Sequence, residues 1–315
     1  MNESLHTFTM HEAFAHEDEG TAVSSASSVV NVMHNATTTF PGIVTSHQLA
    51  RALDVILSPR GFDKEKTLLA TSFCCDEVCR DLEDELREVY GQNFTFGGIA
   101  GFPFGGNTAF GAMSHHIPPD GSLVIVYGPH VGIDFDGVIG RVNRRGHEGS
   151  GACCNTAIAA LAYVKAVSEG TVIHAPDSSD PTEAQMVFMA SALLEHSDRL
   201  LGAADIDVEL PHAVYDCQEA LMKRILDKCC PADVPDGTKI ALLGGVQVNT
   251  PEGTPEYFLP KKFTLLNSKG EVLEDLIGAL IQEGNKDIKD IIKQKRLKAK
   301  MDEFQAGVVD VPLVN

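Results

Sequence analysis

Positive charge and long apolar segments are both scarce in this 315-residue sequence. Its 25 lysines and arginines are outnumbered by 44 aspartates and glutamates, which gives a net charge of −19. This acidity argues against a nucleic-acid partner and against docking on anionic lipid, because both require a basic surface. No apolar run reaches the roughly 20 residues that a membrane-spanning helix needs, so we expect no membrane span.

The amino terminus lacks the features of a targeting segment. It has neither the basic region nor the apolar core of a signal peptide, and it is too acidic for a transit peptide. A cytoplasmic location is therefore open on the sequence alone. We expect residues 1–39 to form a flexible acidic and polar leader, residues 40–281 a single α/β domain, and residues 282–315 a charged helix and tail.

The eight cysteines do not indicate a disulfide framework. The chain is long enough to bury a core without covalent cross-links, and six of its cysteines occur as adjacent pairs. These pairs are Cys74–Cys75, Cys153–Cys154 and Cys229–Cys230. We therefore expect a reducing compartment and look for chemistry rather than cross-linking in the cysteines.

One stretch combines a predicted strand with a predicted helix. Thr67–Phe73 is apolar and rich in β-formers, which is typical of a buried strand. Residues 76–90 have apolar side chains at steps of three or four, which predicts an amphipathic helix with Asp76 as its N-cap. Cys74 then lies at the carboxyl end of the strand, where open α/β sheets bind ligands. Arg80 follows Asp76 by four residues, so we expect the two side chains to meet on the first turn.

Two later stretches supply partners for Cys74. Ser122–Val126 is a second apolar strand, and His130 comes just past its end. Cys153 and Cys154 open a third element, a strong predicted helix. Sulfur and imidazole nitrogen are zinc ligands, and a catalytic zinc takes three protein ligands and a water. The sequence therefore predicts a Cys/His/Cys zinc site, with Cys153 and Cys154 as alternative third ligands.

A glycine-rich passage, FGGIAGFPFGGNTAFGAMSHH, separates the two predicted strands. It contains no lysine and no phosphate-binding pattern, so the glycines are expected to permit tight turns and close backbone approach. Phe102 and Phe104 are candidates for the lining of an apolar substrate pocket. His115 and His116 end a short helical run, and we expect one of them to face the same cleft.

Four blocks of this sequence resemble the limiting-CO2-inducible protein B/C family of algae, also described as theta-class or beta-like carbonic anhydrases. The blocks are CCDEVCRDLEDE, GGIAGFPFGGNTAFGAMSHHIPPDG, IVYGPHVGID and SGACCNTAIAAL, and the likeness runs from about residue 40 to about residue 270. The resemblance implies a beta-carbonic-anhydrase-like α/β core with a mostly parallel sheet flanked by helices. It also implies zinc held by Cys74, His130 and Cys154, with Cys153 as the alternative.

The resemblance further implies reversible hydration of CO2 to bicarbonate in inorganic-carbon concentration. Asp76 is expected to orient the reactive water, and Arg80 to keep Asp76 ionised. A homodimer or a hetero-oligomer with a paralogue is implied, as is a chloroplast location in the stroma or pyrenoid.

Two other functions compete with this one. The chain could be a catalytically silent, zinc-bearing scaffold of a carbon-handling complex. Cys74 to Arg80 also spells C-x5-R, which resembles the loop of cysteine phosphatases. In such a loop, however, Asp76 and Glu77 would repel a phosphate, so this is the weaker alternative.

Overall fold

The fold alternates helices with the strands of one large sheet. The structure is a computed structural model, and it describes residues 26–171 and 179–284. The helices with defined ends are α1 (Ala26–Thr39), α2 (Ser46–Leu57), α3 (Arg80–Tyr90), α4 (Gly106–Ser114), α5 (Asn155–Ser168), α6 (Ala184–Leu194), α7 (Ser197–Leu201) and α8 (Ile206–Asp233), and residues 277–284 are also helical. The strands are β1 (Val44–Thr45), β2 (Thr67–Ser72), β3 (Asn93–Thr95), β4 (Ser122–Tyr127), β5 (His130–Gly132), β6 (Arg141–Val142), β7 (Gly151–Ala152), β8 (Lys239–Asn249), β9 (Tyr257–Leu266) and β10 (Val272–Asp275).

The main sheet has the strand order β1-β9-β8-β4-β2-β3. The pairs β3–β2, β2–β4 and β4–β8 are parallel, and β5 also pairs with β8 in parallel. On the other side β9 is antiparallel to β8, β1 and β10. The expected mostly parallel sheet flanked by helices is thus confirmed, with an antiparallel flank.

Both faces of the sheet are buried, which explains why its central strands are apolar throughout. Side chains alternate across a strand with a period of two. In β4, Val124 and Val126 contribute to one core, whereas Leu123 and Ile125 contribute to the other. Helices α2, α3, α5 and α6 pack in the first core, α1 and α4 pack in the second, and α8 contributes to both. Because β2, β4 and β8 are parallel neighbours, their carboxyl ends lie at the same edge of the sheet.

The amino-terminal boundary of the packed domain differs from the prediction. Helix α1 occupies part of the expected leader, and its Val32 and Ala36 side chains are fully buried. The helix was missed because serine, threonine and asparagine, which have weak helix propensity, fill most of its other positions. The first 25 residues of the expected leader and most of the predicted charged tail lie outside the described residues.

The chain turns sharply between β4 and β5, and glycine makes the turn possible. A Cβ atom added to Gly128 would lie 1.7 Å from the carbonyl oxygen of Gly245 in β8. Only glycine allows the two backbones to approach so closely. The turn brings the next residues onto the end of β8, where His130 pairs in register with Gln247. His130 is thereby placed beyond the carboxyl end of β4, as the sequence predicted.

Candidate metal centre

Cysteine and histidine side chains from three parts of the chain converge at the carboxyl edge of the sheet. Cys74 follows β2, His130 begins β5, and Cys154 is the N-cap residue of α5. All three are buried, and their ligand atoms lie within 4.8 Å of one another. A second set, made of Asp76, His130 and Cys153, meets the same limit. The structure therefore brings together all the predicted ligands, and the two cysteines of the later pair fall into different sets.

The two sulfur atoms of the first set are spaced as zinc ligands are. Cys74 Sγ and Cys154 Sγ lie 4.0 Å apart. Two thiolates on one tetrahedral zinc, each at about 2.3 Å from the ion, are separated by about 3.8 Å. The hydrogen bond between the sulfurs lowers the pKa of Cys154 to about 5 and raises that of Cys74 to about 12. One of the pair is thus already disposed to be a thiolate.

His130 presents one of its ring nitrogens without a partner. Its Nδ1 lies 2.8 Å from Asn249 Oδ1, so that nitrogen donates a proton to the amide oxygen. Its Nε2 is buried and has no hydrogen-bond partner among the described residues. Buried polar atoms are normally satisfied. An orphaned nitrogen beside two cysteine sulfurs fits a metal ion, and the soft donor set fits zinc.

Cysteine sulfurs surround the imidazole more completely than the sequence suggested. Cys153 Sγ lies 3.4 Å from His130 Nδ1, and Cys79, which the sequence did not single out, also interacts with the ring. Burial acts to lower the pKa of His130, but charge on Cys79, Cys154 and Cys153 outweighs it and raises the pKa well above its ordinary value. The position therefore favours positive charge.

Asp76 lies next to the metal-ligand candidates, but its ionic partner is not the predicted one. Its Oδ2 is 4.0 Å from His130 Nε2 and accepts a hydrogen bond from Arg144 Nη2 at 2.9 Å. Arg144 also donates through Nε to Glu77 at 2.8 Å. Burial acts to raise the pKa of Asp76, but hydrogen bonding with Glu77 and the charges of His130 and Arg144 together hold it below its ordinary value. Asp76 is thus kept ionised.

The expected contact between Asp76 and Arg80 is wrong. Residues Glu77–Cys79 form a 3₁₀ turn, and the α-helix begins only at Arg80. The α-helical spacing that would align the two side chains is therefore absent. Arg80 instead donates to the carbonyl of Cys74 and, at 2.5 Å, to Glu83. It holds the backbone of a candidate ligand, and two of its three guanidinium nitrogens are engaged in these bonds, which argues against the C-x5-R phosphatase alternative.

Arg144 is placed by a loop that the sequence showed only as polar. Buried Asp134 accepts hydrogen bonds from two loop backbone amides and, at 2.7 Å, from Ser150 Oγ. Arg141 in turn donates to Ser150, and Arg144 donates to the carbonyl of Ala152. The loop between β5 and α5 is thereby fixed over the site. The many Asp, Asn and Arg residues in this stretch were the feature of the sequence that could have indicated a loop ordered by polar side chains.

The predicted pocket residues do not line the cavity beside the cysteines. Phe102 is fully buried and stacks on Phe104 with ring centroids 5.3 Å apart, so the two pack in the first core, and both contact the exposed Phe188 edge-on. His115 and His116 are exposed in the connection from α4 to the start of β4, and His116 packs against Phe94. Both histidines lie before the amino-terminal end of β4, whereas His130 lies beyond its carboxyl end. Neither His115 nor His116 therefore reaches the metal-ligand candidates.

A different set of apolar side chains lines the cavity at the metal-ligand candidates. The cavity has His130, Cys153 and Cys154 at one end. Helices α5 and α8 provide most of the remaining wall, with the apolar side chains Ala157, Ile158, Leu210, Pro211 and Val214. Asp207 of α8 adds one carboxyl group to this lining, which therefore suits an uncharged small molecule better than an anion.

Two further observations concern the cysteines and the helices. All eight cysteines lie in the described residues and are free thiols. None of the described helices is long and apolar enough to cross a membrane.

Comparisons with known proteins match the fold and the site region. A model of the family described as limiting CO2-inducible proteins B/C beta carbonic anhydrases matches residues 43–267. The crystal structure of PtLCIB4, a homolog of the limiting CO2-inducible protein LCIB, is 41% identical, with a TM-score of 0.71 over 77% of this chain and 99% of that chain. A mutant of PtLCIB4 gives 40% identity and a TM-score of 0.73 over 78% of this chain and 98% of its own.

The other comparisons give less information about this chain. The structure of LCIB itself is 19% identical, with a TM-score of 0.57 over 75% of this chain and 96% of that chain, which supports the fold alone. A comparison with curated proteins finds no match. The family match nevertheless spans well over half of the chain and includes every candidate ligand described above. The chain therefore belongs to the limiting CO2-inducible protein B/C family of beta-carbonic-anhydrase-like proteins.

Proposed function

We propose that the protein is a zinc-dependent carbonic anhydrase that interconverts CO2 and bicarbonate. The observation behind this proposal is the convergence of Cys74, Cys154 and the unpartnered His130 Nε2 beside an ionised Asp76. Cys74, His130 and Cys154 would hold the ion. A zinc ion bound by three protein ligands acts as a Lewis acid that lowers the pKa of water towards neutrality.

Asp76 supplies the orientation that the reaction needs. An ionised carboxylate only accepts hydrogen bonds, so it can fix the direction of a water O–H bond and point an oxygen lone pair towards the substrate. Arg144 holds Asp76 in place and ionised. Attack of water oxygen on the carbon of CO2, with loss of one proton, gives bicarbonate.

We infer that CO2 approaches His130 and Cys154 through the small cavity that they help to line. Ala157, Ile158 and Val214 give the wall an uncharged side, and Asp207 of α8 adds a carboxyl group to the lining. The anionic product has no counter-charge in that wall, which favours its departure. The predicted dimer, the chloroplast location and the role in carbon concentration stay predictions from family membership.

Stopped-flow measurement of CO2 hydration tests the proposal. The zinc-loaded protein is expected to accelerate hydration well above the same protein stripped of zinc with a chelator. A protein that retains stoichiometric zinc and gives the uncatalysed rate would contradict the proposal and favour the scaffold alternative.

Substitution of Ile158 by phenylalanine tests the pocket. The larger side chain is expected to fill the cavity and lower kcat/KM for CO2 about tenfold or more, because a few added carbons in a small pocket cost that much. Zinc content is expected to stay unchanged. Val55→Phe, at an exposed position of α2, is the matched control. Equal rates for the two variants would show that CO2 does not use this cavity.

A further inference from the structure

Asn249 links His130 to a carboxylate that lies outside the ligand set. It occupies the last position of β8, is fully buried, and accepts the His130 Nδ1 hydrogen bond on Oδ1. Its Nδ2 donates to the backbone carbonyl of Val78 and to Glu256 Oε2, both at 2.8 Å. In this orientation the oxygen and the nitrogen of the Asn249 amide both have hydrogen-bond partners. The amide therefore connects Glu256 to His130.

The orientation of the amide decides which nitrogen of His130 is protonated. With Oδ1 towards the ring, the neutral form of His130 carries its proton on Nδ1, and Nε2 is left as a lone-pair donor. If the amide turned by 180°, its Nδ2 would face the ring, and the proton would move to Nε2, which would then be unable to bind a metal ion. The two acceptors on Nδ2, the Val78 carbonyl and the Glu256 carboxyl, oppose that turn.

We propose that Glu256 and Asn249 are positioning residues that fix the His130 tautomer for metal binding. This inference rests on the metal site of the proposed function, but not on the reaction. Among the described residues Glu256 does not line the cavity, and its hydrogen bond towards the site is the one to the Asn249 amide. Burial raises the pKa of its carboxyl to about 8, yet the role requires only an acceptor oxygen, which either protonation state offers.

Three variants separate the positioning role from general stability. Glu256→Leu removes the acceptor, Glu256→Gln retains an acceptor oxygen, and Asn249→Leu removes the bridge. Loss of an outer hydrogen-bond partner of a metal-binding histidine typically weakens the metal by about 10- to 100-fold. We expect zinc affinity to fall by that amount in Asn249→Leu and Glu256→Leu, and to recover to within about threefold of wild type in Glu256→Gln. Exposed Glu252, substituted by leucine, is the matched control.

The measurements are zinc affinity by competition with a chromophoric chelator and the His130 tautomer by ¹⁵N NMR of the metal-free full-length protein, recorded at a pH high enough to leave the His130 ring neutral. Wild type and Glu256→Gln are expected to show the proton on Nδ1, and Glu256→Leu to show a mixture of tautomers. Unchanged zinc affinity and an unchanged tautomer in Glu256→Leu would overturn the inference. If Glu256→Leu does not fold, Asn249→Leu decides by the same two readouts. A wild type that binds zinc without hydrating CO2 would contradict the proposed function and leave this result intact.

Discussion

Replacement of Cys154 by alanine is expected to abolish zinc binding, whereas replacement of Cys153 leaves it nearly intact. Cys154 Sγ is paired with Cys74 Sγ at the spacing of two ligands on one ion. Cys153 instead approaches His130 Nδ1, the nitrogen that already donates to Asn249. We expect zinc affinity to fall more than about 100-fold in Cys154→Ala, beyond the loss typical of outer partners. Chelator competition and elemental analysis measure it.

The control for this comparison is Cys230→Ala, which removes a buried thiol from the core that does not contain Cys74. It tests whether loss of a buried cysteine affects zinc through stability alone. The reverse ranking, with Cys153→Ala free of zinc and Cys154→Ala fully loaded, would contradict the assignment and favour the set of Asp76, His130 and Cys153.

Replacement of Arg144 by alanine is expected to lower the CO2 hydration rate about tenfold while zinc content stays unchanged. Arg144 holds Asp76 through a 2.9 Å ion pair that is mostly shielded from solvent. Its loss frees the carboxylate to rotate and raises the pKa of Asp76. Asp76→Asn removes the acceptor charge itself, and we expect a loss of about 100-fold or more, the usual contribution of a positioned acid or base. Stopped-flow assays at matched zinc loading give both values.

Arg145→Ala is the matched control, because Arg145 is the exposed neighbour in the same loop. Arg80→Ala acts differently. Its guanidinium holds the Cys74 carbonyl and Glu83, so its loss is expected to reduce zinc affinity and stability before it affects the rate of the loaded protein. A normal rate in Arg144→Ala, or an equal loss in Arg145→Ala, would remove Arg144 from the mechanism.

The sequence was sufficient to predict which strands lead to the site. β2 and β4 are continuous apolar segments, and parallel neighbours end at the same edge of a sheet. That rule alone places Cys74 near His130. The predicted helix that follows Cys153 and Cys154 brings this pair to the same edge, but the sequence left open which of the two is the ligand.

The contacts around these ligands depend on loop geometry that no spacing rule supplies. Arg144 reaches Asp76 only because Asp134 and Ser150 fold the loop, and the prediction of Arg80 failed because a 3₁₀ turn precedes α3. Asn249 lies 119 residues from His130 in the sequence. The sequence showed that Phe102 is apolar, but it did not show whether the side chain packs in the core or lines the cavity.

X-ray absorption at the zinc edge of the zinc-loaded full-length protein identifies the atoms that bind the ion. We predict one zinc per chain with two sulfur ligands and a single imidazole nitrogen from the protein, and the loss of one sulfur in Cys154→Ala if any zinc is retained. A zinc bound only through oxygen and nitrogen, or a purified protein that retains no zinc at all, would contradict the account.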